Sequence, residues 1–181
     1  MAASGTSSAA TSRDIVHLII QRSTIELFDA YGVAVAPADQ ASTRTSTSSR
    51  SDEWVGVVQL SSATCRGTLT MACSGHTLRR MRPTADGSFW PQDWMREVTN
   101  QLAGRIKNRF VRYGLPVQVG VPTVAAGAIE AGAESQRGAL AYVFRTLTDD
   151  VCVTLTGGFE SATFDVRSDL LPAEEGDIIL L

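Results

Sequence analysis

The chain has 181 residues, 44% of them hydrophobic and 19% charged, which is typical of a folded domain with one buried core. A net charge of −3 without a basic stripe excludes nucleic acid as an expected partner. The sequence has no apolar run long enough to cross a membrane, and its first 13 residues lack the apolar centre of a signal peptide, so we expect a cytoplasmic location and no membrane contact.

The beginning of the chain predicts a polar tail followed by a helix. Residues 1–13 consist mainly of Ser, Thr, Ala and Gly, and we expect them to be a disordered tail. Residues 14–31 contain enough apolar positions to predict a helix, with its cap at Ser12 or Asp14. Gly32 is placed to end this helix, because glycine readily adopts the left-handed conformation that closes a helix. The folded domain is therefore expected to begin near residue 14.

A strand, a polar insertion and a hairpin are predicted next. Residues 33–36 predict a short strand, and residues 41–52 (ASTRTSTSSRSD) a polar surface loop within the domain. Residues 54–60 and 66–73 are strand-like runs separated by turn residues, and so predict a β-hairpin. Residues 74–81 predict a short helix that starts after a glycine.

Residues 93–110 predict a long amphipathic helix, with Asp93 as its N-cap. Its buried face is formed by apolar residues at three- and four-residue spacing: Met95, Val98, Leu102, Ile106 and Phe110. The opposite face has an unusual stripe of one carboxylate, three amides and a glycine: Glu97, Asn100, Gln101, Gly104 and Asn108. A glycine costs about 1 kcal/mol relative to alanine inside a helix. We therefore expect another part of the chain, or a partner, to approach the helix closely at Gly104.

The second half of the chain predicts more strands. Residues 115–120 predict a strand and residues 122–127 a turn-like connection, and residues 140–147 and 151–156 predict a second hairpin. The order of helices and strands predicts an α+β fold: one domain over residues 14–181, with a mostly antiparallel or mixed sheet and long helices packed on it.

Other candidate sites in the sequence favour structural interpretations. His17 lies on the apolar face of the first predicted helix, and His76 begins a short helix; neither has a partner at metal-ligand spacing. Phosphate-binding glycine loops and the nucleophile elbow of hydrolases are absent. Three cysteines without CxxC spacing predict reduced, buried thiols. No metal site is therefore predicted, and the helix stripe is the remaining candidate.

The stripe combines groups that can act together on one small target. Glu97 and Asn100 lie one turn apart, and a carboxylate can bind an ammonium group and fix the geometry of docking. The amide of Asn100 offers one donor and one acceptor, which can hold a water molecule. Such a pair can position water at an electrophile that is already activated, without a covalent intermediate. The alternative is that both residues are ordinary polar residues on an exposed helix face.

Three stretches resemble the CheX/CheC/FliY chemotaxis phosphatases, most closely the CheX type. Residues 97–104 (EVTNQLAG) resemble the ExxN…AG helix of that family. Residues 55–60 (VGVVQL) and 66–71 (RGTLTM) resemble the strand pair before this helix, and residues 122–127 (PTVAAG) resemble the PTVxxG segment after it. The likeness extends over most of the chain, and the order of the stretches is the same.

The resemblance implies a phosphatase that removes the phosphoryl group from the aspartate of a CheY-like response regulator. Asn100 would orient the attacking water, and Glu97 would pair with the active-site lysine of the regulator. Gln101, Gly104 and Asn108 would contribute to docking. The protein would need no cofactor of its own, because the Mg²⁺ belongs to the regulator, and it would form a homodimer.

The sequence also departs from the family pattern. CheC-type members have two ExxN helices, but here Glu130 is followed by Ala133 where a second asparagine would stand, so we expect a single site. The polar loop at residues 41–52 and the long N-terminus are not typical of compact members. Two alternatives stay open: a binding module that docks on a regulator or a flagellar-switch component without turnover, and a structural domain with an unrelated partner.

Overall fold

The computed structural model describes residues 11–38, 52–82, 90–127 and 139–164, which form three α-helices and seven strands. The helices are α1 (Ser12–Ala30), α2 (Gly75–Arg80) and α3 (Pro91–Arg112). The strands are β1 (Ala36–Pro37), β2 (Glu53–Ser61), β3 (Arg66–Ser74), β4 (Gln118–Val119), β5 (Thr123–Ala126), β6 (Leu140–Arg145) and β7 (Asp150–Leu155). A 3₁₀ turn, Phe159–Ser161, follows β7. Residues 1–10 of the predicted tail and 41–51 of the predicted polar loop lie outside the described residues.

Every strand pair in the described part of the chain is antiparallel. The order across the sheet is β1-β6-β7-β3-β2-β4, and β5 also pairs with β2. Strands β4 and β5 occupy different parts of the same β2 edge, since β4 pairs at Leu60 and Ser61 while β5 pairs from Trp54 to Val57. Strand β2 is therefore bordered by β3 on one side and by the two short strands on the other.

The hydrophobic core lies between one face of this sheet and the helices α1 and α3. Side chains that alternate along the strands point to that face, as the two-residue period of a strand requires. The inward residues of the central strands are buried and lie in register: Val58 on β2, Leu69 and Met71 on β3, and Val153 and Leu155 on β7. The helices add an apolar layer that includes Ile19, Ile20, Phe28, Leu102, Ile106 and Phe110.

Helix α1 starts slightly earlier than the sequence predicts. Thr11 is the N-cap: its hydroxyl accepts from the backbone N–H of Asp14, and the Asp14 carboxylate accepts from the Thr11 backbone N–H at 3.0 Å. This reciprocal capping box satisfies two backbone donors of the first turn, so the predicted caps at Ser12 and Asp14 are wrong. The start of the helix is therefore within the predicted tail of residues 1–13. The predicted end at Gly32 is confirmed, since its φ is 69°.

The two predicted hairpins are confirmed as β2–β3 and β6–β7. The segment 122–127, which we predicted to be a turn, contains strand β5 instead. Four residues are too few to show a strand period, and their extended conformation is stabilised by pairing with β2. The predicted strands at residues 33–36 and 115–120 are reduced to two-residue pairings at Ala36–Pro37 and Gln118–Val119.

The described residues form a single α+β domain with an antiparallel sheet, as the sequence predicts. None of the helices described is both long enough and apolar enough to span a bilayer.

Candidate functional site

The predicted polar stripe lies on helix α3, which is longer than predicted at both ends. Its N-cap is Trp90 and Pro91 occupies the first turn, a position where the fixed φ of proline suits the helix and its missing N–H costs nothing. Asp93 is therefore not the N-cap. Its carboxylate instead accepts a hydrogen bond of 2.8 Å from the Arg96 guanidinium within the first turn. A carboxylate at this position also interacts favourably with the helix dipole.

Close packing against β2 fixes the position of α3. Gly56 on β2 lies directly beneath the helix, and a Cβ added there would come within 1.9 Å of the Thr99 hydroxyl oxygen and 3.2 Å of the Met95 methyl carbon. The Thr99 hydroxyl is fully buried and donates to the Met95 carbonyl at 2.7 Å. The close-approach glycine of this site is therefore Gly56 rather than Gly104.

The structure places all five predicted site residues along one side of α3. Glu97, Asn100 and Asn108 are exposed, and Gln101 and Gly104 are partly exposed. Their neighbours Val98, Thr99, Leu102 and Ala103 are buried. Because a helix brings residues three and four positions apart onto one side, the stripe is continuous over several turns.

Glu97 is held by a second member of the stripe. The Gln101 Nε2 donates to Glu97 Oε1 at 2.7 Å, and Gln101 Oε1 accepts from the Tyr31 hydroxyl at 2.8 Å. Tyr31 follows α1, so this contact ties the two long helices together at the site. The sequence pattern gave no signal for Tyr31, because the tyrosine and the glutamine are 70 positions apart.

Asn100 is the amide member of the Glu97–Asn100 pair, and it is exposed. Its side chain makes no hydrogen bond to another described residue. An exposed amide of this kind can hold a water molecule by one donor and one acceptor. The backbone that carries Asn100 is packed closely on the sheet, because the preceding residue, Thr99, is buried against Gly56.

Gly104 and Asn108 extend the stripe along α3. A Cβ added at Gly104 would meet nothing within 4 Å among the described residues. The prediction that another part of this chain approaches Gly104 is therefore wrong for the described residues. The alternative, a partner that comes close to the helix at this point, remains a prediction, as do the docking roles of Gln101, Gly104 and Asn108.

Strand β5 supports the site from beneath. Residues 123–126 pair along β2 opposite the segment that carries Gly56, and α3 packs on both strands. The backbone N–H of Gly127 continues the pairing by donating to the Glu53 carbonyl at 2.8 Å, and its φ of 120° favours glycine. The PTVAAG segment thus has a structural reason for its extended residues and its final glycine.

The histidines and cysteines that we interpreted as structural are not part of the polar stripe on α3. His17 is exposed, not on the apolar face as predicted, and its ring packs on Tyr142 with centroids 5.2 Å apart. His76 is exposed as well. Burial raises the pKa of the Cys73 thiol, which opposes formation of a reactive thiolate. A cluster of His, Cys, Asp or Glu able to hold a metal is not found among the described residues.

Asp149 has a structural role that the sequence did not reveal. Its carboxylate accepts from the Ser74 hydroxyl at 2.8 Å and from the Thr77 hydroxyl at 3.3 Å. Ser74 is also the N-cap of α2. These bonds connect the β6–β7 turn to the start of α2, on a different element from the stripe.

Comparison with known proteins identifies the fold. No protein-family model and no curated protein sequence matches the chain. The chemotaxis protein CheX from Vibrio vulnificus has a similar structure, with a TM-score of 0.63 at 14% identity over 83% of this chain and 99% of that one. A CheC-like superfamily protein from Shewanella has a TM-score of 0.61 at 12% identity, covering 79% and 97% of the two chains.

A chain of the CheX–CheY–BeF3–Mg²⁺ complex from Borrelia burgdorferi is also similar, with a TM-score of 0.55 at 14% identity over 78% of this chain and 97% of that one. These three structures are matched over nearly their whole length. The chain therefore has the fold of CheX and CheC-like chemotaxis proteins, which confirms the fold that the sequence resemblance implied.

Proposed function

We propose that the protein removes the phosphoryl group from the phospho-aspartate of a CheY-like response regulator. One observation carries the proposal: Glu97 and Asn100 lie one turn apart on an exposed side of a closely packed helix, in a CheX-like fold. The ExxN motif and its place between the β2–β3 hairpin and the PTVAAG segment support the same assignment. The Borrelia burgdorferi complex contains both CheX and CheY, which supports this class of partner.

The proposed reaction is hydrolysis of an acyl phosphate. The oxygen of water forms a bond to phosphorus, the bond between phosphorus and the aspartate oxygen breaks, and the products are the free carboxylate and inorganic phosphate. Phosphoryl transfer depends mainly on positioning and electrostatic stabilisation. The amide of Asn100 would align the water, and the regulator would supply the Mg²⁺ that neutralises charge on the phosphoryl oxygens.

Glu97 would fix the docked geometry by pairing with the active-site lysine of the regulator. An ion pair between exposed groups contributes little in open water, but docking removes water from around both charges. Both roles require side chains that reach outward from the helix, and both residues are exposed. Since they lie on the same α3 turn, docking by Glu97 places Asn100 at a fixed position relative to the phosphoryl group.

The proposal is tested by phosphate release from phosphorylated receiver domains in the presence of Mg²⁺. The protein should accelerate the loss of phosphate from at least one regulator of its source organism. The binding-module alternative predicts stable association with such a regulator but an unchanged phosphate lifetime. If neither association nor acceleration is found across the receiver domains of the organism, the structural-domain alternative is favoured.

Replacing Glu97 by alanine should mainly weaken docking. We expect KM to rise about ten- to a hundredfold with kcat nearly unchanged, because a desolvated charge pair contributes to binding in the ground state and the transition state alike. Glu97→Gln should behave similarly, since it keeps the shape and loses the charge. Steady-state kinetics at several salt concentrations measure this effect. A fall in kcat with an unchanged KM would contradict the docking role.

Replacing Gly104 by alanine should raise stability, and its effect on KM tests whether Gly104 has a docking role. The added methyl has open space in the described structure, and alanine is about 1 kcal/mol more favourable than glycine inside a helix. We therefore expect a melting temperature roughly 2–4 °C higher. If a docked regulator lies close to the helix here, the methyl should also raise KM. A stabilised variant with wild-type KM would show that Gly104 has no docking role.

The homodimer implied by the resemblance and the cytoplasmic location remain predictions. The proposed chemistry uses only residues of one α3 helix and a partner regulator. It therefore does not depend on a second copy of the chain.

A further inference from the structure

A chain of hydrogen bonds connects the end of α1 to the proposed docking carboxylate. The Tyr31 hydroxyl donates to Gln101 Oε1 at 2.8 Å, and Gln101 Nε2 donates to Glu97 Oε1 at 2.7 Å. An ionised carboxylate can only accept, so the amide group that faces Glu97 must be the NH₂. The carbonyl oxygen of Gln101 then faces Tyr31, which makes the hydroxyl the donor. The chemistry of the three groups therefore fixes the direction of the whole chain of bonds.

The far end of this chain of bonds is anchored in packed structure. Tyr31 is the C-cap residue of α1, and its backbone N–H donates back to the Phe28 carbonyl at 3.0 Å. Its ring meets the Trp94 ring edge to face, with centroids 5.5 Å apart and planes at 78°. Tyr31, Trp94 and Gln101 are all partly buried, whereas Glu97 is exposed. The bonds thus lead from the junction of α1 and α3 to a carboxylate at the surface.

We propose that Gln101 and Tyr31 are positioning residues, which hold the Glu97 carboxylate in the orientation used for docking. This inference rests on the proposed function. An exposed glutamate samples several rotamers, and immobilising it on binding reduces affinity. The bond from Gln101 restricts those rotamers before the partner arrives, and the bond from Tyr31 holds the Gln101 amide in place. Gln101 then acts through Glu97, rather than by the direct docking contact that the sequence suggested.

Two variants remove the bonds one at a time. Tyr31→Phe keeps the ring and its packing on Trp94 but deletes the hydroxyl, and Gln101→Ala deletes the amide. We expect each to raise KM, and the Kd for a beryllofluoride-activated regulator with Mg²⁺, about three- to tenfold. The value of kcat should stay unchanged, because Asn100 is untouched. Tyr113→Phe is the matched control: this partly buried tyrosine caps the other end of α3 and should keep the wild-type KM.

The Glu97→Ala background distinguishes positioning from direct contact. If Gln101 and Tyr31 act only through Glu97, adding Gln101→Ala or Tyr31→Phe to Glu97→Ala should change neither KM nor Kd further. A direct contact between Gln101 and the regulator would instead give additive losses and overturn the inference. Melting temperatures of the variants check that folding is intact, since a purely structural role would lower stability without this dependence on Glu97.

The outcomes also separate this inference from the proposed function. If the wild-type protein accelerates phosphate loss but both single variants keep wild-type KM and Kd, the positioning role is wrong and the proposed function stands. If the wild-type protein neither binds nor dephosphorylates any regulator, the proposed function is wrong and the positioning role fails with it. If each single variant raises KM, and neither substitution raises KM further in the Glu97→Ala background, the results support both the proposed function and the positioning role.

Discussion

Replacing Asn100 by alanine is expected to reduce the rate of phosphate loss from the phosphorylated regulator by about 100-fold, which approaches the rate of the regulator alone. The side chain is exposed and makes no hydrogen bond to another described residue, so its removal leaves the packing of α3 unchanged. Surface substitutions of this kind usually change stability by less than about 0.5 kcal/mol. Single-turnover phosphate release and thermal unfolding, measured on the same preparation, test both halves of this prediction.

Two further variants refine the Asn100 prediction. Asn100→Asp keeps the size of the side chain but replaces the amide donor with a negative charge, which repels the phosphoryl group, so it should be as inactive as Asn100→Ala. Gln92→Ala is the matched control, because Gln92 is an exposed amide about two turns earlier in the same helix. Equal rates of phosphate loss with wild type and with Asn100→Ala would show that the catalytic role assigned to Asn100 is wrong.

Periodicity was sufficient to predict the face of α3, because the burial pattern of a long helix repeats in its sequence. Met95, Val98 and Leu102 are buried as predicted, and Glu97 and Asn100 are exposed. The predicted start of the helix is wrong, because Asp93 is a good N-cap by composition but the N-cap is Trp90. Pro91 is a stronger sequence signal for the start of this helix than Asp93, because the fixed φ of proline suits the first turn.

Contacts between distant parts of the chain could not be predicted in this way. Strand β5 is only four residues long, and it is extended because it pairs with β2, a partner that lies far from it in sequence. The bond from Tyr31 to Gln101 depends on how α1 crosses α3, which no local pattern specifies. The sequence also does not show which part of the fold packs against a given glycine. Gly104 lies within α3 and predicts a close approach to that helix, whereas the glycine in close contact with α3 is Gly56 on β2.

Replacing Gly56 by alanine is expected to destabilise the fold by about 1–3 kcal/mol, the usual cost of adding atoms to a tightly packed core. The new Cβ would lie 1.9 Å from the Thr99 hydroxyl oxygen and 2.9 Å from the Thr99 Cβ, and both atoms belong to a short, fully buried side chain. The melting temperature should fall by roughly 2–4 °C for each kcal/mol. Gly120→Ala is the matched control, because its Cβ would meet nothing closer than 3.4 Å. Wild-type stability of Gly56→Ala would contradict this packing.

Gly56→Ala should lower stability and keep activity, whereas Asn100→Ala should lower activity and keep stability. A methyl at Gly56 pushes α3 away from β2, but Glu97 and Asn100 lie on the same helix and move together, so their mutual geometry is kept. Below its melting transition, Gly56→Ala should therefore retain kcat close to the wild-type value. Adding Thr99→Ala removes the hydroxyl that the new methyl meets, and should recover part of the lost stability. A large loss of kcat in folded Gly56→Ala would mean that catalysis needs α3 in register with the sheet, and that the site extends beyond this one helix.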